Sequence, residues 1–414
     1  MSVSPIQEIL KRNKPAQRQR VGIEVERFLL DSEGRRLSYS QGVESFLTGL
    51  KDKQAWNLYQ EDQGRPLGLV QDEDFISLEP GAQLEVALSA QANLVAWGER
   101  SEAKEKELSR LFQERGESWL WLGCDPWNSV EDIELIPSAR YQIMTDYYRE
   151  LGLANLEMMR LTAGFHVNLD YRNETEAMEM LQAGAYLAPL WAAWFANSPF
   201  LYGKRMQAHS QRSLIWLQHD ASRSGFFLGQ KIEDYVNLVE STPLMFVYLS
   251  EGRVEAGKGR AWRDLPTELQ ELNLLTSLRQ LFLEVRLKPC CVEFRSFDAC
   301  SPSQRLAAAA LCIGIFYDEE NRRHYAKKAQ AMTKVQLTSL FESAAIQSFE
   351  QDFFVDWAKD VLDRATSALV RRSFGEEQYL VEAERLLSLK KSPAMILKEK
   401  WKSFPVWNSE EVLG

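Results

Sequence analysis

The 414-residue sequence carries no surplus of positive charge. Its 49 Lys and Arg stand against 59 Asp and Glu, a formal net charge of −10. Proteins that track nucleic-acid phosphates gain affinity by releasing counterions and need the opposite sign. No nucleic-acid partner is therefore expected. Long apolar runs are also missing. No stretch approaches the ~18 uncharged apolar residues of a membrane span, and residues 1–19 lack the apolar core of a secretory signal. No membrane partner is expected, and a cytoplasmic location is. Cysteine is scarce, with only Cys124, Cys290, Cys291, Cys300 and Cys312. The number is odd and no two are spaced CxxC, which argues against a disulfide framework or a zinc site. Buried free thiols are the expectation, with Cys290 and Cys291 on opposite faces if their strand is regular. Internal repeats and low-complexity tracts are absent. So are the two glycine-rich phosphate loops, GxxxxGK(S/T) and GxGxxG, after any strand. A nucleotide bound here is held by other means.

What the chain does have is a core. Hydrophobic residues make up 45% of it, with 12 Trp and 20 Phe, enough for a large packed protein. Apolar spacing predicts helices over 4–13 (ended by Pro15), 40–52, 91–115, 138–151, 174–196, 231–240 and 266–282. Strands are predicted over 20–30, in a pair within 68–90, and over 119–124, 158–171, 244–249, 283–288 and 291–298. From 302 to about 402 the pattern is helical throughout, in four or five helices. Strands and helices mix without regular βαβ alternation, which favours an α+β fold over a doubly wound one.

Two short strands carry the most unusual chemistry. Val21-Gly-Ile-Glu-Val-Glu-Arg-Phe-Leu-Leu30 and Cys291-Val-Glu-Phe-Arg-Ser-Phe-Asp298 both alternate apolar and charged residues. Side chains two apart on a strand share a face. Glu24 and Glu26 therefore stand together, as do Glu293 and Arg295. Residues 158–171, read as one strand, place Arg160, Thr162, Gly164, His166, Asn168 and Asp170 on one side. Glu79, Glu85 and the pair Glu284 and Arg286 come from further strands. Charges inside such apolar runs are costly to bury unless something pairs with them, whether other side chains or metal ions. Carboxylates gathered on one sheet would suit a hard divalent cation. Arginines beside them would suit phosphate or carboxylate groups, which they grip with two parallel hydrogen bonds. Metal, phosphate and carboxylate together suggest ATP-dependent chemistry on a carboxylic acid.

At this level of detail the chain resembles the plant-type (also bacterial) glutamate–cysteine ligases, within the carboxylate–amine ligases related to glutamine synthetase. Gly22-Ile-Glu-Val-Glu-Arg-Phe28 resembles the family's Gly-x-Glu-x-Glu-Lys-Phe. Ile76-Ser-Leu-Glu-Pro-Gly-Ala-Gln-Leu-Glu85 resembles its Ile-Ser-Leu-Glu-Pro-Gly-Gly-Gln-x-Glu. Thr162-Ala-Gly-Phe-His-Val-Asn-Leu-Asp-Tyr171 resembles its Thr-x-x-x-Gln-Val-Asn-Leu-Asp-Tyr, and Phe195-Ala-Asn-Ser-Pro-Phe200 is close to identical. Ser210-Gln-Arg-Ser-Leu-Ile-Trp216, Asp220-Ala-Ser-Arg223, Glu284-Val-Arg-Leu-Lys288 and Val292-Glu-Phe-Arg-Ser-Phe-Asp298 follow in order. The resemblance spans residues from about 20 to 300. Departures are His166 for the family's Gln, Ala82 for the second Gly, Ser-Phe-Asp after Arg295 for Gly-Ala-Asp, and Val86-Ala-Leu-Ser89. More distant bacterial ligases carry a metal-binding His in the strand of His166.

The resemblance implies a largely antiparallel, funnel-like sheet covered by helices, as in the glutamine synthetase and guanido kinase catalytic fold. Residues 1–300 would form the catalytic domain and 301–414 a helical part packed on it. It implies that ATP phosphorylates the glutamate γ-carboxylate and that the amino group of cysteine attacks the acyl phosphate. Glutamate, cysteine and ATP would be the small-molecule partners of a monomer or homodimer. Glu24, Glu26, Glu85, His166 and Glu293 would hold two or three Mg²⁺ (or Mn²⁺), with Glu79 a weaker candidate. Arg295, with Glu293, would serve catalysis facing the transferred phosphate. Arg160, Arg212, Arg223 and Arg286 are candidates for substrate carboxylates or phosphates, Asn168 for a neutral donor, and Trp216 for a pocket wall. A different acid or amine, or a metal-binding relative without catalysis, are the alternative readings.

Overall fold

The computed structural model describes residues 4–12, 19–53 and 55–401. Nine strands form its main sheet: β1 (Val21–Leu30), β2 (Asn57–Asp62), β3 (Arg65–Gln71), β4 (Asp74–Leu78), β5 (Leu84–Ala87), β6 (Ser118–Leu120), β7 (Gly164–Asp170), β8 (Val285–Leu287) and β9 (Cys291–Asp298). Their spatial order is β8-β9-β7-β1-β5-β4-β3-β2, with β6 paired to the far end of β1. Every pairing in it is antiparallel. The α+β expectation holds, with the charged strands central rather than at an edge.

One face of this sheet is apolar. Ile23, Val25, Val86, Phe165, Val167, Leu169, Val292 and Phe294 are buried in a single core with Trp191, Leu187, Ala307 and Leu311. Helices Glu174–Trp194 and Pro302–Phe316 supply the latter residues. Both are apolar almost all round, as helices buried between layers are. Among the described residues six α-helices follow Asp298, from Pro302–Phe316 to Pro393–Lys400. Helices Glu319–Gln330 and Lys334–Gln347 pack on Glu174–Trp194. Arg27 is a charged residue on the apolar face. Its guanidinium, 1% exposed, is held by both oxygens of Glu105 at 2.8 and 3.0 Å, which also accepts from Arg305 at 3.0 Å. The rings of Trp119 and Trp121 lie 4.9 and 4.4 Å from it.

Strand β9 is not regular. Phe294 opposes Val167 and Phe297 opposes Phe165, so Arg295 and Ser296 together face His166. This bulge lets both Phe294 and Phe297 reach the core. Phe294 stacks on Phe316 at 4.0 Å, and Phe297 on Phe165 at 4.7 Å.

Several sequence expectations are corrected. Residues 153–161 are a helix, Leu153–Leu161, so strand β7 begins only at Gly164. A hairpin, β2–β3, precedes the expected 68–90 pair. The helix expected over 266–282 is two, Thr267–Leu272 and Leu274–Arg279, broken at Asn273. There the Asn273 amide caps the backbone of Tyr248 instead. The strand expected over 119–124 is only Ser118–Leu120. The first helix is Pro5–Arg12; Pro15 lies outside the described residues. Cys290 sits in the turn before β9 and is exposed, with its Sγ 3.8 Å from that of buried Cys291, so the two thiols are not on opposite faces.

Candidate active site

Register brings the charges together. Glu24 opposes His166 across β1 and β7, and Glu26 opposes Glu85 across β1 and β5. Glu293 opposes Asn168 on one side and Arg286 on the other. Residues directly opposite in an antiparallel pair share a face. All these side chains therefore stand on the side of the sheet away from the helical core.

Two groups of ligand atoms result, each drawn together within 4.8 Å: Glu24, His166 and Glu293, and Glu26, Glu85 and His166. His166 bridges them. Its Nδ1 lies 3.3 Å from Glu24 Oε2 and its Nε2 3.8 Å from Glu26 Oε1. Burial, with Arg295 close by, pushes the imidazole down to about 4, so it is neutral near pH 7 and offers the lone pair of one ring nitrogen. Its Nε2 is buried without a hydrogen-bond partner, which is costly unless a ligand meets it.

The two groups differ electrostatically. Burial raises Glu24, but Lys288 and His166 together outweigh it and leave the carboxyl at about 2. Glu293 is completely buried; burial opposes its charge, and Arg286, Lys288 and Arg295 overcome this and hold it well below the usual range. Among the described residues no cation is bonded to Glu26 or Glu85, and Arg212 and Arg295 only partly offset the burial of Glu26. Burial and the charge of Glu79 push Glu26 up to about 8. Burial and its neighbours Glu24, Glu79 and Glu26 push Glu85 well up. A half-site of mutually repelling, desolvated carboxylates beside an unpartnered imidazole nitrogen fits a hard divalent cation.

The basic residues ring this cluster. Arg286 forks onto Glu293 at 2.7 and 3.1 Å. Arg295 donates to Glu293 at 3.1 Å, and the Trp216 ring lies 5.6 Å from its guanidinium. Arg212 lies 5.6 Å from the same ring and donates to the Arg295 carbonyl at 3.2 Å. A Cβ at Gly164 would stand 2.7 Å from Arg212 Nη2, so only glycine leaves room for that guanidinium. The Gly164 amide donates to Glu26 at 2.6 Å. Asn168 donates to Glu24 at 3.2 Å.

Comparison with known proteins places this geometry. The model of glutamate-cysteine ligase family 2 matches residues 20–385. The chain belongs to that family. Glutamate–cysteine ligase B of rice (Oryza sativa subsp. japonica), a chloroplastic enzyme, is 30% identical over 92% of this chain and 80% of its own length. The chloroplastic ligase of Arabidopsis thaliana is 29% identical over 93% of this chain and 77% of its own. The fold is shared with a glutamate–cysteine ligase of Francisella tularensis solved in complex with AMP, at a TM-score of 0.59 and 13% identity, over 94% of this chain and 86% of that one. Among the described residues no helix is long and apolar enough to cross a membrane.

Within this ligase-family chain, not every residue singled out from sequence joins the cluster. Arg160 is on helix Leu153–Leu161, and its Nη1 donates to the carbonyls of Val130 and Ile133 at 3.1 and 3.3 Å. Helical backbone turns it off the strand face on which it was expected. Arg223 is 1% exposed and spends its donors on Asp220, Tyr147 and the carbonyls of Gln280 and Pro243, a structural clamp. Glu79 is near enough to raise Glu26 yet in neither ligand group. Some motif residues serve the frame instead. Asp298 accepts from the Asn197 amide at 2.7 Å, Ser198 Oγ at 2.7 Å and Ser210 Oγ at 2.9 Å, tying two matched strings to the end of β9. Lys288 was missed. It touches Glu24, Glu293 and Asn168, and its position two residues after Arg286, on the same face, was the available signal.

Proposed function

We propose that this protein joins the γ-carboxylate of glutamate to the amino group of cysteine at the cost of ATP, the first step of glutathione-type thiol synthesis. The observation that carries this reading is a glutamate–cysteine ligase family chain in which Glu24, Glu26, Glu85, His166 and Glu293 converge beside Arg212, Arg286 and Arg295. The AMP-bound Francisella relative supports nucleotide binding by the shared fold. Mg²⁺, or Mn²⁺ in its place, held by the two carboxylate–histidine groups, would neutralise phosphate oxygens and orient the terminal phosphate.

The chain's own residues account for the rest. Glu293 fixes Arg286 through two hydrogen bonds and Arg295 through one; Arg286 Nη1 is taken up by the carbonyls of Arg279 and Leu281, which leaves Arg295 the guanidinium better able to meet an anion. Trp216, beside both Arg212 and Arg295, forms an apolar wall that limits water around them. Buried guanidinium groups preset in this way stabilise the charge of a transferring phosphoryl group and of an acyl phosphate without reorganising. His166, neutral, takes no proton and offers one ring nitrogen's lone pair to a cation in one group while the other nitrogen keeps its proton. Asn168 adds an uncharged amide at the rim.

The test is ADP release by purified protein with ATP, Mg²⁺, glutamate and a panel of amines. Release dependent on cysteine is expected. Release confined to another amine would reassign the acceptor. No release with metal bound would leave a binding protein without catalysis.

A further inference from the structure

The two ligand groups of the cluster are not equivalent, and Lys288 makes the difference. Its Nζ lies 2.7 Å from Glu24 Oε1, 3.0 Å from Glu293 Oε1 and 3.3 Å from Asn168 Oδ1. Three oxygens from three strands thus converge on one ammonium, as they would on a metal ion. The Glu26 and Glu85 carboxylates, by contrast, accept only from uncharged donors, the Gly164 amide at 2.6 Å and Ser77 Oγ at 2.9 Å. The first group is bonded to three cations, Arg286 and Arg295 on Glu293 and Lys288 bridging Glu293 to Glu24; the other, among the described residues, has none bonded to it.

Lys288 is also built to leave. It follows β8 at the hairpin into β9, where its backbone amide bonds the Cys291 carbonyl at 2.8 Å. The side chain is 29% exposed, against none for Glu293. A lysine on a flexible four-carbon stem at a sheet rim can swing its ammonium into solvent or onto a bound anion. Arg286, forked onto a buried carboxylate, and Arg295, itself buried and bonded to the same carboxylate, lack that freedom.

We infer that Lys288 is a resident counter-cation which occupies the Glu24–Glu293 position in the metal-free enzyme, so that a divalent cation enters the Glu26–Glu85–His166 group freely but must displace Lys288 to enter the other. Lys288 is a positioning residue: it bridges Glu24 and Glu293, offsets their mutual repulsion when no ion is bound, and sets how tightly the second ion is held. Once displaced, its ammonium stands at the rim beside the position of bound phosphates. The inference rests on the metal-binding reading of the cluster.

The test is Mn²⁺ binding to the nucleotide-free protein, read by loss of the free-ion paramagnetic resonance signal. Wild type is expected to bind one ion tightly and a second weakly. Lys288→Met, which keeps the stem and removes the charge, should tighten the second class about tenfold or more, the scale of losing a charged hydrogen-bonded competitor. It should also lower the melting temperature of the metal-free protein and not of the Mn²⁺-loaded one. Lys288→Arg, which keeps the charge, should leave the second class weak. Equal affinities in wild type and Lys288→Met, or weaker binding in the variant, would overturn the inference while leaving the metal site intact. Absence of Mn²⁺ binding in both proteins would overturn the metal reading itself, and this inference with it. If Lys288→Met does not fold, Lys288→Gln read by the same titration decides between the same outcomes.

Discussion

Glu26 should impose a steep pH dependence on metal binding. Its carboxyl is pushed up to about 8 by burial and the charge of Glu79. Only about a tenth of it is ionised at pH 7, by the ordinary titration relation. A metal ion needs the carboxylate, so binding must expel a proton. At pH 7 that expulsion weakens the tight Mn²⁺ class about tenfold, or about 1.4 kcal/mol. The sign follows: the free protein holds more protons than the loaded one, so affinity rises with pH. From about pH 6 to about pH 7 the gain is roughly tenfold from Glu26 alone, flattening above about pH 8. Glu85, raised by burial and its acidic neighbours, acts in the same direction. His166, at about 4, adds nothing above about pH 5, and Glu24, at about 2, stays ionised throughout. Glu26→Gln should therefore weaken binding and lower the slope of log affinity against pH by one proton. The assay is Mn²⁺ titration at constant ionic strength across this range. A flat wild-type profile, or a slope unchanged in Glu26→Gln, would refute the reasoning.

Two further outcomes follow from named contacts. Glu293→Gln leaves Arg286, Lys288 and Arg295 around an uncharged amide; ADP release should fall ~100-fold or more and stability by about 3 kcal/mol, measured by turnover and by a circular-dichroism melt, and near-normal turnover would remove Glu293 from the site. Glu105→Gln unpairs the buried guanidinium groups of Arg27 and Arg305 on the opposite face of the sheet; urea denaturation should show a loss of about 3–5 kcal/mol with turnover at low urea unchanged, and a loss below about 1 kcal/mol would show that solvent already serves these groups.

The central strands were legible because a period of two, with one face apolar and one charged, admits few alternatives. Glu24 and Glu26, or Glu293 and Arg295, had to share a face. Which strands neighbour one another was supplied only by the family resemblance, since register depends on partners far along the chain. Residues 158–163 misled because six residues fit a period of two and a period of 3.6 alike. Buried Met158 and Leu161, three apart, fit the helix, which Thr162 closes by donating its hydroxyl to the Met158 carbonyl at 2.7 Å. Arg223 looked like a ligand for anions because its strings matched. Its four internal acceptors come from segments spread over more than a hundred residues, which no local pattern reveals. Hairpin β2–β3 carries largely exposed side chains on β2, and so offered little apolar alternation to read.

The bulge at Arg295 and Ser296 has a consequence for how the chain tolerates length change. Upstream of it, one residue added or lost within Cys291–Phe294 would exchange the two faces of the strand, sending Glu293 toward Phe165 and Trp191 and a phenylalanine into the carboxylates. At Ser296 the count is already one in excess. Deleting it would restore plain alternation with Arg295 still facing the charged side and the following phenylalanine still facing the core. A strand otherwise intolerant of insertions and deletions thus has one position at which its length can drift, immediately beside the arginine proposed to meet phosphate.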